Sequence, residues 1–170
     1  MKLITYDELY KVVNLLHKDY QEDIKIKLIN SDLRIMFELL KPNAVKHLSL
    51  SYFVNYIKYT ALGLQFDNTI IIYLHNIKKL DKQANKEELK LFIIKTLFHE
   101  IRHIYQQRYK PHKVDECYTT DVGNGYESQW EERDANKFSM RMMNKHKKDI
   151  NDLFNIDFDW EVIWQTLYIK

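Results

Sequence analysis

The chain has 170 residues, 45% of them hydrophobic and 29% charged, which suits one globular domain with its own core and is short for two. A formal charge of +2 gives no electrostatic reason to expect nucleic acid or an anionic membrane as partner. With 3 Gly and 2 Pro there are no linkers, and a single cysteine, Cys117, excludes an internal disulfide and a cysteine-based zinc ribbon.

The opening MKLITYDELYKVV reaches Asp7 and Glu8 without the apolar stretch of a signal peptide, so a cytoplasmic protein is expected. Thr5 then caps an amphipathic helix to about Tyr20, with Leu9, Val12, Val13, Leu16 and Tyr20 at helical spacing. IKIKLI, residues 24–29, alternates like a half-buried strand. Between residues 31 and 62 the pattern is ambiguous: Leu33 to Leu40 looks helical, and Leu48 to Tyr59 fits either type. Leu64 to Phe66, Asp67-Asn68 and TIIIYL read as a hairpin with a two-residue turn; its second strand, the longest apolar run, is far too short to span a membrane. A long helix follows from about Lys86 to Tyr109, stopped by Pro111, then a loop over 111–126. Further helices are predicted from about Glu127 to Lys147 and from Asp157 to Tyr168, with Trp130, Trp160 and Trp164 as core. The expectation is one α+β domain over 1–170: an N-terminal part to residue 62, a metal-binding part over 63–147, and a C-terminal helix over 148–170.

The long helix carries LFHEIRHIYQQ, in which His99 and His103 lie four apart and Glu100 follows the first. On a helical wheel His103 falls about 40° from His99 and Glu100 about 100° from it. Ile93, Leu97, Ile101 and Ile104 gather on the other side, so the histidines are not part of the apolar stripe. Four-residue spacing stacks two imidazoles within reach of one ion, while Glu100 is turned towards a water on that ion instead of the ion itself. That is the mechanical content of H-E-x-x-H: two zinc ligands and a general base from one turn of helix.

A catalytic zinc takes a third protein ligand and keeps a position for water. Gln106 and Tyr109 stand where one subclass has its glycine and third histidine, so that subclass is excluded. The helix YESQWEERDANKFSMRMM, residues 126–143, offers Glu127, Glu131 and Glu132. Glu132 sits at the edge of the face formed by Ala135, Phe138, Met142 and Met143, with Asn136 one turn beyond to hold a ligand histidine by its other ring nitrogen. Glu131 also points inward and is the alternative; Glu127, at the helix start, is the weaker one.

HEIRHIYQQ followed by EERDANKFS resembles the gluzincin-type minimal zinc metallopeptidases, in particular the ImmA/IrrE-like and SprT-like proteins of bacteria and their phages. Their second helix has the form E-x-E-A-[DN]-x-F-A, with the first Glu as third ligand. The resemblance implies a zincin-like fold, with Glu132 as ligand, Asn136 as orienting residue and one zinc per chain. It also implies a small, mainly antiparallel sheet whose edge strand, NTIIIYL, packs on the histidine helix and can hold an extended peptide. It covers about residues 64–143. Asp134 and Ser139 replace a Glu and an Ala of the pattern, Arg102 puts a charge inside the motif, and Asn136 is neutral where many relatives have Asp.

The expected activity is hydrolysis of a peptide bond in an intracellular protein, with Glu100 as general base; the resemblance implies a regulator as its substrate. Tyr126, His112 and His146 are the candidates for stabilising the oxyanion; His17, His47 and His75 read as structural or surface residues. The alternatives are a zinc hydrolase of a non-peptide substrate and a binding or regulatory protein without turnover. Mn or Fe could also occupy two imidazoles and a carboxylate, and the residue pattern fixes neither the oligomeric state nor the substrate.

Overall fold

The computed structural model describes residues 3–31, 61–80, 82–111 and 129–169. The expectations for Leu33 to Leu40, Leu48 to Tyr59, His47, His112, Cys117, Tyr126 and Glu127 therefore lie outside the described residues.

The architecture is α+β. Helix α1 (Tyr6–Val13) starts at Thr5, whose hydroxyl accepts from the Glu8 amide while the Glu8 carboxylate accepts from the Thr5 amide, so the cap predicted from sequence forms as a reciprocal box. The helix is shorter than its periodicity suggested; a single 3-10 turn, η1 (Lys18–Tyr20), carries Tyr20 inward. Strand β1 (Lys25–Ile29) follows, with Ile26 and Ile29 buried. Strands β2 (Gly63–Phe66) and β3 (Thr69–Tyr73) form the expected hairpin, with Asp67 at φ 50° in the two-residue turn.

The sheet order is β1-β3-β2, with β1 parallel and β2 antiparallel to β3. The sheet is thus mixed, and TIIIY is its central strand; among the described residues the edge facing the histidine helix is β2. Burial of Ile70, Ile72 and Tyr73 explains the unbroken apolar run, since a central strand covered on both faces needs no polar side. Helix α2 (Leu74–Leu80) begins where β3 ends, burying Leu74 and Ile77, and Asn76 donates to the Ala61 carbonyl at 2.7 Å. It went unread because seven residues give too short a period.

Helix α3 (Lys86–Tyr109) has the predicted span and an Asn85–Glu88 capping box. Leu91, Ile93, Ile94, Leu97, Phe98, Ile101 and Ile104 pack into the core. The other side is not open to solvent either: Thr96, Glu100, Arg102 and Gln106 are all buried, because α4 (Trp130–Lys145) and β2 cover it.

The C-terminal part differs from expectation. The predicted helix to Lys147 breaks at His146, and α5 (Lys147–Phe154) follows, ending at Asn155 in the left-handed region with φ 54°, a residue type that tolerates that conformation. Residues 157–168 are not a helix but a hairpin, β4 (Trp160–Ile163) with β5 (Thr166–Ile169). WEVIWQTLYI satisfies both periods, since Trp160, Ile163, Trp164 and Leu167 fit a helical face and Trp160 and Val162 fit a strand face. The turn residues Trp164-Gln165 carry no turn signal, and Trp164 sits at φ 55°, where a bulky side chain is strained. Asn144 decides the matter: its Nδ2 donates to the Val162 carbonyl at 2.8 Å and its Oδ1 accepts from the Val162 amide at 3.0 Å. Trp160 is fully buried as expected and donates to Asn151, whereas Trp164 is 40% exposed and not core.

Candidate metal centre

His99, Glu100 and His103 come from consecutive turns of α3, and Glu132 and Asn136 from α4 packed across them. His99 Nε2 and His103 Nε2 lie 3.0 Å apart. The Glu132 carboxylate reaches both, Oε2 at 3.2 Å from His99 Nε2 and Oε1 at 3.2 Å from His103 Nε2. Among the described residues this trio is the set of ligand atoms that converges. Glu131 is also buried, and its backbone carbonyl accepts from Gln106 Nε2 at 3.0 Å, but its carboxylate is not part of the converging set. Of the two carboxylates left open by sequence, Glu132 joins the histidines.

The far side of each ring is also fixed. His99 Nδ1 lies 3.1 Å from Asn136 Oδ1, as the one-turn spacing from Glu132 suggested. His103 Nδ1 lies 2.9 Å from Gln106 Oε1. An amide oxygen can only accept, so each Nδ1 donates and each Nε2 is the nitrogen left for a metal. Gln106 is a residue that the sequence reading missed. It stands three positions after His103 on the same helix, a spacing that could have flagged it.

Gln106 is held in turn. Its Nε2 donates to Asp134 Oδ2 at 2.9 Å, and Asp134 takes a two-pronged contact from Arg102, Nε to Oδ2 at 2.7 Å and Nη2 to Oδ1 at 3.2 Å. Arg102 Nη1 donates to the Tyr20 hydroxyl at 2.6 Å, and its guanidinium lies 4.7 Å from the Tyr105 ring centre. The charge that looked out of place inside the motif is therefore the cation that fastens α4 and η1 to α3, and Asp134 is its partner. Burial alone would raise the Asp134 carboxyl, but the hydrogen bonds from Arg102 and Gln106 outweigh it and hold the group below its ordinary range.

Electrostatics within the trio follow from burial and proximity. Burial opposes the His103 imidazolium, yet the hydrogen bond and charge of Glu132 lift its pKa to about 9. Burial likewise pushes the Glu132 carboxyl up, and the hydrogen bonds to His103 and His99 more than reverse this, holding it well below the carboxylate range. Glu100 behaves differently. Burial raises its pKa despite the neighbouring histidines, which suits a group that must accept and release a proton.

Glu100 also explains Gly63. A Cβ at position 63 would lie 2.6 Å from Glu100 Oε1 and 2.7 Å from Thr96 Cγ2. The backbone of β2 thus runs directly against the Glu100 carboxylate, an approach only glycine allows. No periodicity or motif marks that contact.

Other candidates fall elsewhere. His146 closes α4 at its far end, about 21 Å along the helix from Glu132, and its Nδ1 pairs with Asp149 at 3.2 Å; it is not beside the site. His17 is exposed and pairs with Asp19.

The donor set fits a zinc ion. Tetrahedral zinc at about 2.0–2.1 Å from each ligand needs ligand atoms about 3.3 Å apart, and the three edges of the trio are 3.0, 3.2 and 3.2 Å.

A family model described as "Protein of unknown function (DUF3920)" matches residues 64–149, half of the chain, and the chain belongs to that family. The matched segment runs from β2 through α3 to α4, and so holds every residue of the converging trio. No curated protein and no solved structure matches the chain. Among the described residues no helix is long and apolar enough to cross a membrane.

Proposed function

We propose that this chain is a zinc-dependent metallopeptidase of gluzincin type, with a zincin-like fold, hydrolysing peptide bonds of an intracellular protein. The observation that carries the reading is the convergence of His99 Nε2, His103 Nε2 and the Glu132 carboxylate, with the buried Glu100 one residue after the first ligand. His99, His103 and Glu132 would hold one zinc ion. Zinc supplies Lewis acidity there, lowering the pKa of a water towards about 7 and polarising a carbonyl. Asn136 and Gln106 keep the imidazoles turned so that Nε2 faces inward. Glu100 takes the proton from the attacking water and passes it to the leaving amine as the C–N bond breaks. Its raised pKa supports the first half of that transfer, because a more basic carboxylate accepts a proton more readily.

The test has two stages. Metal content per chain is measured for the native protein, His103→Ala and Glu132→Ala; one zinc in the first, lost or much weakened in the others, supports the site. Native protein that takes no zinc at neutral pH sinks the reading. Glu100→Gln is then compared with native protein on a peptide library read by mass spectrometry. Cleavage lost with zinc retained supports hydrolysis; cleavage unchanged removes Glu100 from the mechanism.

A further inference from the structure

Away from the histidine trio, a cleft of about 490 Å³ lies between the α1–η1 segment and α4. One wall is a basic row: Lys137, Arg141 and Lys145 stand at four-residue spacing on α4, all exposed, and none has an ion pair among the described residues. Beside that row are Phe138 and Met142, and across the cleft Leu15, Leu16 and Tyr20. Asp134 is the one carboxylate in the lining, and Arg102 already neutralises it. A formal charge of +2 for the whole chain is thus accompanied by three cations in a single cleft that have no ion-pair partner among the described residues.

The spacing says what these cations can meet. Four helical residues rise about 6 Å, so the row spans about 12 Å, too long for one phosphate or one carboxylate. In an extended peptide, side chains two residues apart point the same way at about 6.6 Å. Acidic residues at alternate positions therefore match the row step for step, and the residues between them face the opposite way, towards the apolar wall. We propose that this cleft docks an extended acidic segment of a partner protein, its carboxylates on Lys137, Arg141 and Lys145 and its intervening apolar side chains against Leu15, Leu16 and Tyr20 across the cleft. Binding here does not depend on the metal site, although the cleft adjoins it: the Asp134 that lines the cleft also holds Gln106, and Gln106 holds His103.

The experiment is fluorescence polarisation with the full chain and a labelled peptide in which Asp and Leu alternate three times. Native protein is expected to bind it at low salt and to lose affinity as salt screens the row. K137E/R141E/K145E should weaken binding about tenfold or more, with its thermal midpoint and zinc content unchanged; should that triple variant not fold, R141E alone serves the same comparison. K78E/K79E, which reverses exposed lysines on α2, should bind as native. A peptide with Ser in place of Leu should bind more weakly than the first. The proposal is overturned if the peptide does not bind, if the α2 and α4 reversals act alike, or if the Ser peptide binds as well. It is equally overturned if inorganic phosphate displaces the peptide at equivalent charge, which would leave a small-anion site in its place.

Discussion

Each imidazole of the pair is held by an amide oxygen, and the two amides come from different helices: Asn136 from α4 for His99, Gln106 from α3 itself for His103. Removing either frees a ring to rotate and leaves its Nδ1–H without an acceptor in a buried setting. Gln106→Leu and Asn136→Leu should each lower zinc affinity about 10–100-fold, read by competition against a chelator of known strength; an unchanged affinity would show that packing alone orients the rings. Gly63 sets the other limit on the site. In Gly63→Ala the new methyl group must displace Glu100 or Thr96, a strain of about 1–3 kcal/mol. Zinc stoichiometry should stay the same while cleavage falls, because the base moves and the ligands do not. Normal cleavage in that variant would mean that Glu100 has room the geometry denies.

Among the elements, α4 does two separate jobs. Its N-terminal half delivers Glu132, Asp134 and Asn136 to α3, and its C-terminal half delivers Asn144 to the terminal hairpin. Asn144→Ala leaves the Val162 amide and carbonyl without their side-chain partner, at a cost of about 1–3 kcal/mol. Thermal unfolding should show a midpoint lower by about 2–4 °C for each kcal/mol lost, with zinc binding untouched; loss of zinc as well would tie the hairpin to the site. The Arg102–Asp134 pair belongs to the junction of α3 and α4. Asp134 has a folded-state pKa below its unfolded value. Its contribution to stability is therefore complete above about pH 4 and is lost as pH falls through the folded-state value. Denaturant midpoints followed into acid should fall more steeply for native protein than for Arg102→Leu, whose overall stability is lower and in which Asp134 keeps only the hydrogen bond from Gln106 and is depressed less; parallel curves would remove the pair from the acid response.

For the whole molecule, zinc should bind the folded chain and not the unfolded one, since Glu132 meets the histidines only when α4 packs on α3. At a free zinc concentration about 100-fold above Kd, the stabilisation is about 2.7 kcal/mol. The unfolding midpoint of native protein should rise with zinc and that of His103→Ala should not; a rise in both would point to binding elsewhere. What was legible in advance follows from how local each signal is. The cap at Thr5, the 86–109 helix, the hairpin around Asp67-Asn68 and the His99–Glu100–His103 geometry all rest on residues a few positions apart, so chain order alone carries them. Glu132 and Asn136 were reachable because their own helix has a readable inward face.

Contacts between distant segments were not legible in this way. No periodicity indicates that Gly63 lies against Glu100, that Arg102 pairs with Asp134, or that Gln106 joins both to His103. The family resemblance implies NTIIIYL as an edge strand, but pairing with both β1 and β2 makes it central, and an apolar run does not itself reveal how many neighbours it has. WEVIWQTLYI fitted helix and strand equally, and a side chain on another helix, Asn144, chose between them. The sequence by itself determined which residues could bind a metal and on which face of α3 they stand, since helical geometry is set within a few residues. The tertiary structure decided which carboxylate completes the trio, what holds each ring and what lies against Glu100, because those depend on packing between segments far apart in the chain.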